Sequence, residues 1–338
     1  MKAVVLKKYG DSASAFSYQE IPEPKTGNDQ VKIKVEAFGL NFADVMARKG
    51  LYQDAPKLPA VLGYEVVGKV IEQGANVSEN WVGKRVVGFT RFGGYAEIAI
   101  TNQLAVVEVD INDDAGKLLA LATQYCTAYY AAFMATTVQK GDLVLQHAAA
   151  GGVGTALTQL CTLRGAKVVG LTGSDSKKEY LLKNGCTDVI NYKTQNYAEC
   201  IKSTYGKVDV SFNSVAGSTF KKDLRLLNYG GRLVCYGAAE RMSGKLGFLS
   251  TLGLVLRMGR IMPIKLLMQS QSLIGVNMLR IADNRPDVLK TCMEEVYKLF
   301  IAGKIDPQVG STWPVSEIAA AHDKFEKGNT TGKLVVMF

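Results

Sequence analysis

The sequence predicts an α/β protein built from a doubly wound parallel sheet and a second, β-rich domain. Three observations carry this reading. The 338 residues exceed the roughly 250–300 that one hydrophobic core usually holds, so two domains are expected. Short strand-like runs punctuated by glycine and proline fill residues 1–110. Beyond residue 115 strand-like runs alternate with helical ones, the pattern of a parallel sheet with helical crossovers.

In the first region the strand candidates are Lys2–Leu6, Val31–Val35, Glu65–Ile71, Lys84–Phe89 and Tyr95–Ile100, with Gly27, Gly39, Gly63, Gly74, Gly83 and Gly93-Gly94 as breaks. A helical stretch follows over Ala115–Ala135. Six further strands are expected at Leu143–His147, Lys167–Thr172, Asp188–Ile190, Val208–Asn213, Arg232–Tyr236 and Ser272–Asn277. A helix starting near Pro286 puts Leu289, Cys292, Met293, Val296, Leu299 and Phe300 on one face, and Gly303 fits its stop. One more helix and a closing strand, Lys333–Val336, end the chain. Chain ends often lie together, so this segment is expected to return to the first domain.

Composition excludes several classes. At 47% apolar and 21% charged residues the chain is ordinary globular protein rather than disordered or low-complexity. The formal charge of +9 is spread over scattered lysines and arginines, which suits a solvated basic surface. Steering of an anionic cofactor is the further possibility, and a nucleic-acid partner is disfavoured. The apolar start is too short for a signal peptide, and no uncharged apolar run of about 18 residues occurs, so a cytoplasmic protein without a membrane span is expected. The six cysteines form no close pair, which argues against a zinc knuckle or a disulfide framework.

The sharpest motif is Ala148-Ala149-Ala150-Gly151-Gly152-Val153-Gly154, between a strand and a helix. Gly151 and Gly152 let the backbone approach a pyrophosphate, Gly154 permits close helix-on-strand packing, and the helix N-terminus offers N–H groups to phosphate. A carboxylate normally ends the next strand in NAD-binding proteins and would repel a 2′-phosphate. Here Gly173 and Ser174 leave room, and Lys177 adds a cation one turn on, which favours NADPH. Asp175 is the competing carboxylate.

With that turn in place, the whole chain resembles the medium-chain dehydrogenase/reductase superfamily. Gly63-Tyr64-Glu65-Val66-Val67-Gly68, then Gly74 and Val77, keep the spacing of the zinc-dependent members' Gly-His-Glu motif, but Tyr64 stands where histidine binds metal. Asn41 falls at a cysteine-ligand position and another ligand position falls near Thr123. Zinc wants three or four Cys, His or carboxylate ligands, so no metal is expected. Asn41-Phe42-Ala43-Asp44 followed by Arg48-Lys49-Gly50-Leu51-Tyr52 looks like the quinone oxidoreductase signature, as do Thr127-Ala128-Tyr129-Tyr130 and Tyr192. Ile274-Gly275-Val276-Asn277, Gly303-Lys304-Ile305-Asp306-Pro307, Trp313-Pro314 and Gly332-Lys333 resemble the vesicle-amine-transport-like branch.

The resemblance implies a GroES-like catalytic domain from residues 1–122 and 308–338 and a Rossmann domain over residues 123–307. It implies hydride transfer from NADPH to a quinone or an α,β-unsaturated carbonyl. Tyr52 is the candidate hydrogen-bond donor to the acceptor, with Asn41 supporting it and Asp44 holding the loop through backbone bonds. Tyr64 and Phe42 would line the pocket. Met46, Thr127, Ala150, Tyr192, Gly237, Asn277 and Lys333 join the glycine turn, Gly173, Ser174 and Lys177 as cofactor contacts. His147 is expected to be a core residue and His322 a surface one. The competing reading is a protein that holds NADPH without turnover, crystallin-like or RNA-binding. A homodimer through the edge strand Ser272–Asn277 is expected. Leu246–Met268 is read as a lid over the acceptor, with a dimer-interface helix and a membrane-surface element as alternatives.

Overall fold

Six strands pair in parallel in the order Asp188–Asn191, Lys167–Thr172, Leu143–Gln146, Val208–Asn213, Leu227–Cys235, Ser272–Gly275. This is the doubly wound order, reversing direction beside Leu143–Gln146. The computed structural model describes residues 1–240 and 248–338. Contacts divide it into two units, Met1–Cys126 with Met278–Phe338, and Thr127–Asn277.

The second unit is this Rossmann-like sheet with its helices. Its inner strands Leu143–Gln146, Lys167–Thr172 and Val208–Asn213 are largely buried, as expected where a parallel sheet is covered on both faces. Leu145, Val169, Leu171, Ile190, Val208 and Leu233 are buried together. The helix Gly152–Leu163 buries Ala156, Leu157, Leu160 and Cys161.

The first unit is GroES-like. Gln30–Leu40 is its longest strand and pairs with Glu65–Gln73, with Ile98–Asn102 and with the closing strand Lys333–Met337, all antiparallel. The closing strand also pairs in parallel with Val309–Pro314. A smaller sheet joins Phe16–Glu20, Lys2–Leu6 and Ala60–Val61. The helix Pro286–Ile301 belongs by contacts to this unit rather than to residues 123–307. Its apolar face is buried, and the Tyr297 hydroxyl lies 3.1 Å from both the Asp110 amide and an Asp113 carboxylate oxygen.

Two further sequence expectations are corrected. His322 is not on the surface. It is fully buried on the helix Ile318–Glu326, whose inward face is Ile318, Ala321 and His322. Of the segment read as a lid, which forms the crossover between the last two strands of the parallel sheet, residues 258–269 do not lie where a lid would. Leu246 and Gly247 lie outside the described residues. The helices Phe248–Met258 and Pro263–Gln269 follow. Residues 258–269 pack beside Lys207 and Gln271, each of which immediately precedes a strand. They therefore sit at the amino-terminal edge of the sheet, whereas the glycine turn leaves its carboxyl-terminal edge.

Candidate functional site

In the first unit the chemistry gathers around Glu65, at the start of its strand and fully buried. Both Glu65 carboxylate oxygens accept from the Asn41 side-chain amide, at 2.8 and 2.7 Å. The Lys333 ammonium pairs with the same carboxylate and also donates to the Leu40 carbonyl at 3.2 Å and to Asn41 Oδ1 at 3.3 Å. The Thr123 hydroxyl donates to Glu65 Oε2. Thr123 sits in a π-helical turn, Leu121–Tyr125, within the expected helix; single π turns tend to mark functional positions.

Three of these residues, Asn41, Glu65 and Thr123, stand at or beside the positions that the sequence resemblance aligns with zinc ligands. The donor set does not fit zinc: an amide, a hydroxyl and one carboxylate whose oxygens already serve an ammonium offer no thiolate or imidazole. The positive charge in this cluster is the Lys333 ammonium. This corrects its expected role, since its three N–H groups are used inside the protein and the side chain is fully buried. Lys333 gave no local sign of this, because its partner Glu65 lies 268 residues away.

Asp44 lies in the first turn of the helix Phe42–Arg48 and is fully buried. It accepts from the Asn41 amide at 2.8 Å and the Gly63 amide at 3.1 Å, the anticipated backbone anchoring. Burial, reinforced by Glu65 and offset by these bonds and Lys333, pushes its carboxyl up to about 7. Tyr95, fully buried, couples to Asp44 and reaches His322 Nε2 at 3.2 Å. Burial, then the Arg48 guanidinium, pushes His322 down to about 3, so its imidazole is neutral near neutral pH.

Tyr52 is half-buried and meets Tyr64 edge-on, ring centroids 6.4 Å apart. The Tyr64 hydroxyl is buried without a hydrogen bond of good geometry, and Tyr52 is the hydroxyl that interacts with it. Burial raises both phenols above their ordinary range, so both are donors at neutral pH. Tyr64 also packs on Phe92 at 5.0 Å. Phe42 is partly exposed and its ring meets Phe325 at 6.2 Å, while Met46 is buried in the same helix.

In the second unit Gly151 is the N-cap of the helix Gly152–Leu163, leaving the first amides of that helix unpaired by the helix itself. A Cβ on Gly154 would run into the Ala148 carbonyl and come within 2.7 Å of Ala149 Cα, so only glycine fits. Ala150 is buried in the turn. A Cβ on Gly173 would lie 2.8 Å from the Tyr192 hydroxyl and 3.2 Å from Lys193 Cε. Lys177 is half-buried. Burial lowers its pKa first and the neighbouring Lys193 ammonium second. Two cations therefore meet at this strand end, while Asp175 is exposed. Lys193 was not foreseen; its position directly after Tyr192 was the available signal. Ser174 Oγ lies 2.7 Å from Ser176 Oγ. Gly237 passes close to the Ser214 carbonyl, 2.8 Å from where a Cβ would stand. Thr127 is buried and Asn277 exposed just beyond the edge strand. His147 is a core histidine, its Nε2 2.8 Å from Asp223. Burial pushes Asp223 up, but His147, Tyr197 and Ser211 more than offset it and hold the carboxyl below its ordinary range.

A glycine turn on a doubly wound sheet, joined in one chain to a GroES-like unit, defines a dehydrogenase or reductase of the medium-chain type. Residues 27–111 match the alcohol dehydrogenase GroES-like domain and residues 152–293 the zinc-binding dehydrogenase domain. The human synaptic vesicle membrane protein VAT-1 homolog is 32% identical over 342 residues, covering 100% of this chain and 86% of that protein. Human quinone oxidoreductase is 29% identical over 341 residues, covering 100% and 98%. The Escherichia coli quinone oxidoreductase complexed with NADPH superposes with a TM-score of 0.87 at 25% identity, covering 100% of both chains. The CurK enoyl reductase gives 0.84 at 27% identity, covering 99% and 98%. The chain belongs to the quinone oxidoreductase family of medium-chain dehydrogenases/reductases, together with the VAT-1 homologs.

Proposed function

We propose that this protein is an NADPH-dependent oxidoreductase that delivers hydride to a quinone or an α,β-unsaturated carbonyl without zinc. The observation that carries the reading is the Lys333 ammonium, seated with Asn41 and Thr123 on Glu65 where a metal would need free ligands. Oxidoreductase chemistry is supported by the quinone oxidoreductase and enoyl reductase likeness.

NADPH would supply the hydride. The amides of the Gly151–Gly154 turn would hold its pyrophosphate, and Lys177 with Lys193 would take the 2′-phosphate beside Tyr192. Without a Lewis acid to withdraw electrons from an alcohol, the residues suit an acceptor that is already electrophilic. Tyr52, protonated at neutral pH, would donate a hydrogen bond to the acceptor oxygen as negative charge develops there, and Tyr64 would orient it. Asp44 would act through position, fixing Asn41 and Gly63, and solvent would deliver the final proton.

Loss of one such donor typically costs about 10²–10³ in kcat. Tyr52→Phe is therefore expected to lower kcat toward an enone by about that factor with NADPH affinity unchanged. An unaltered kcat would remove Tyr52 from the chemistry.

Among the described residues no helix is long and apolar enough to cross a membrane. We place the protein in the cytoplasm as a homodimer. Leu273 of the edge strand is 37% exposed, and beside it in sequence Leu267 and Met268 are 73% and 71% exposed, which suits burial against a second copy. A monomer by light scattering at working concentration contradicts the dimer.

A further inference from the structure

A cavity of about 520 Å3 opens at the amino-terminal edge of the parallel sheet, wholly within the second unit. Five of the side chains lining it are cationic: Lys207, Lys221, Arg225, Arg260 and Lys265. No carboxylate lines it among the described residues, and none of the five cations forms an ion pair there. Gly259, at φ 72°, makes room for the Lys221 side chain, since a Cβ there would collide with its ammonium. Phe220, Leu224, Ile261 and Leu266 supply an apolar wall.

Arg257, one residue before the lining begins, pairs with Glu240 at 2.5 Å, and Arg232 with Asp142 at 2.7 Å. Five like charges around one concavity, left uncompensated, raise the local concentration of anions. Two guanidiniums add flat double donors matched to phosphate oxygens, and the lysines add point charges. The volume falls in the range of small-molecule sites, roughly 300–1,000 Å3, and the apolar wall gives an organic group a place to bury. The glycine turn lies at the opposite edge of the same parallel strands, so the cavity is separate from the dinucleotide phosphates.

We propose that this cavity is a second ligand site, for an organic phosphate with two or more negative charges and an apolar or aromatic body. Arg225, Arg260 and Lys265 hold the phosphate oxygens, and the body packs on Leu224, Ile261 and Leu266. Such chemistry is offered by a nucleotide or by a phospholipid headgroup with its acyl chains.

The test is calorimetric titration of the protein loaded with one equivalent of NADPH and freed of excess, which keeps adenine nucleotides out of the glycine-turn site and leaves no free NADPH to compete at the cavity. NADPH binding is measured first, so that failure of the cofactor reading shows separately. The probes are ATP, monomeric dihexanoyl phosphatidic acid and inorganic phosphate. One of the two organic phosphates is expected to bind at least about tenfold more tightly than inorganic phosphate, and which one does so identifies the source; each guanidinium lost removes one charge-assisted contact, so Arg225→Gln and Arg260→Gln should each weaken that probe at least about tenfold and leave NADPH affinity unchanged. All five cationic side chains lie on exposed residues, and Lys265→Gln serves as a further variant if one arginine replacement fails to fold. The proposal is overturned if neither organic phosphate exceeds inorganic phosphate, or if folded variants bind as tightly as the parent.

Discussion

Replacing Asp44 by Asn probes the buried polar core of the first unit through its pH dependence. In the native protein the Asp44 carboxyl is raised from 3.8 to about 7, chiefly by burial. The folded state therefore holds a proton that the unfolded chain has released. Asp44's contribution to stability is fully present below about pH 4 and is lost as pH rises toward 7, at about 1.4 kcal/mol per unit. His322 works the other way. Its folded pKa is lowered from 6.5 to about 3, so the unfolded chain binds the extra proton and stability rises with pH across that window. Between about pH 4 and 6.5 the two slopes oppose each other and nearly cancel. Asp44→Asn removes only the first. It also loses one acceptor for the Asn41 or Gly63 amide, a pH-independent cost of about 1–3 kcal/mol. The difference in unfolding free energy, variant minus native, should then climb by about 1.4 kcal/mol per pH unit, about 4 kcal/mol over the whole window. Urea unfolding at half-unit steps, followed by the fluorescence of Trp81 and Trp313 in this unit, measures it. A difference that stays constant with pH would refute the assignment of a raised carboxyl to Asp44.

Two further outcomes follow from the same geometry. Lys333→Met strands the Glu65 carboxylate in a fully buried site and should cost about 3–5 kcal/mol, most of it recovered in the double variant Lys333→Met/Glu65→Leu; a single-variant loss below about 1 kcal/mol would show that the pair is not the structural cation site described. Lys177→Ala and Lys193→Ala should each raise the NADPH Kd by the worth of a charge-assisted contact, about 1.5–3 kcal/mol, and leave NADH binding unchanged; equal losses for both dinucleotides would remove the 2′-phosphate from their neighbourhood.

The parallel sheet was legible because its inner strands are largely buried runs bounded by turn residues, and Lys167–Thr172 and Val208–Asn213 fall as expected to the residue. The glycine turn was legible for a local reason too: Gly154 answers a clash within its own strand–turn–helix unit. What was hidden depends on partners far along the chain. Lys333 looked like a polar strand end, and only the pairing of the closing strand with Gln30–Leu40 brings it to Glu65. The helix Phe42–Arg48 lacks an amphipathic stripe because it buries Asp44 and Arg48 as well as Val45 and Ala47. His322 could have been placed inward by its spacing from Ile318, which puts both on one helical face. The crossover misled because most apolar residues described over 252–269 are exposed: Leu256 is 68% and Leu267 73% accessible. Periodicity reports where apolar residues lie, not whether the same chain or a second copy covers them.

On the proposed reading, hydride passes from NADPH to an electrophilic acceptor with Lys333 in place of a metal. The most direct measurement is NADPH absorbance in the presence of a panel of quinones and enones, using protein purified without added metal, treated with chelator and assayed for zinc. Sustained NADPH oxidation with at least one acceptor is expected at well under one equivalent of zinc. Stoichiometric zinc whose removal abolishes turnover would contradict it, and so would tight NADPH binding with no oxidation by any acceptor, the behaviour of a protein that holds the cofactor without using it.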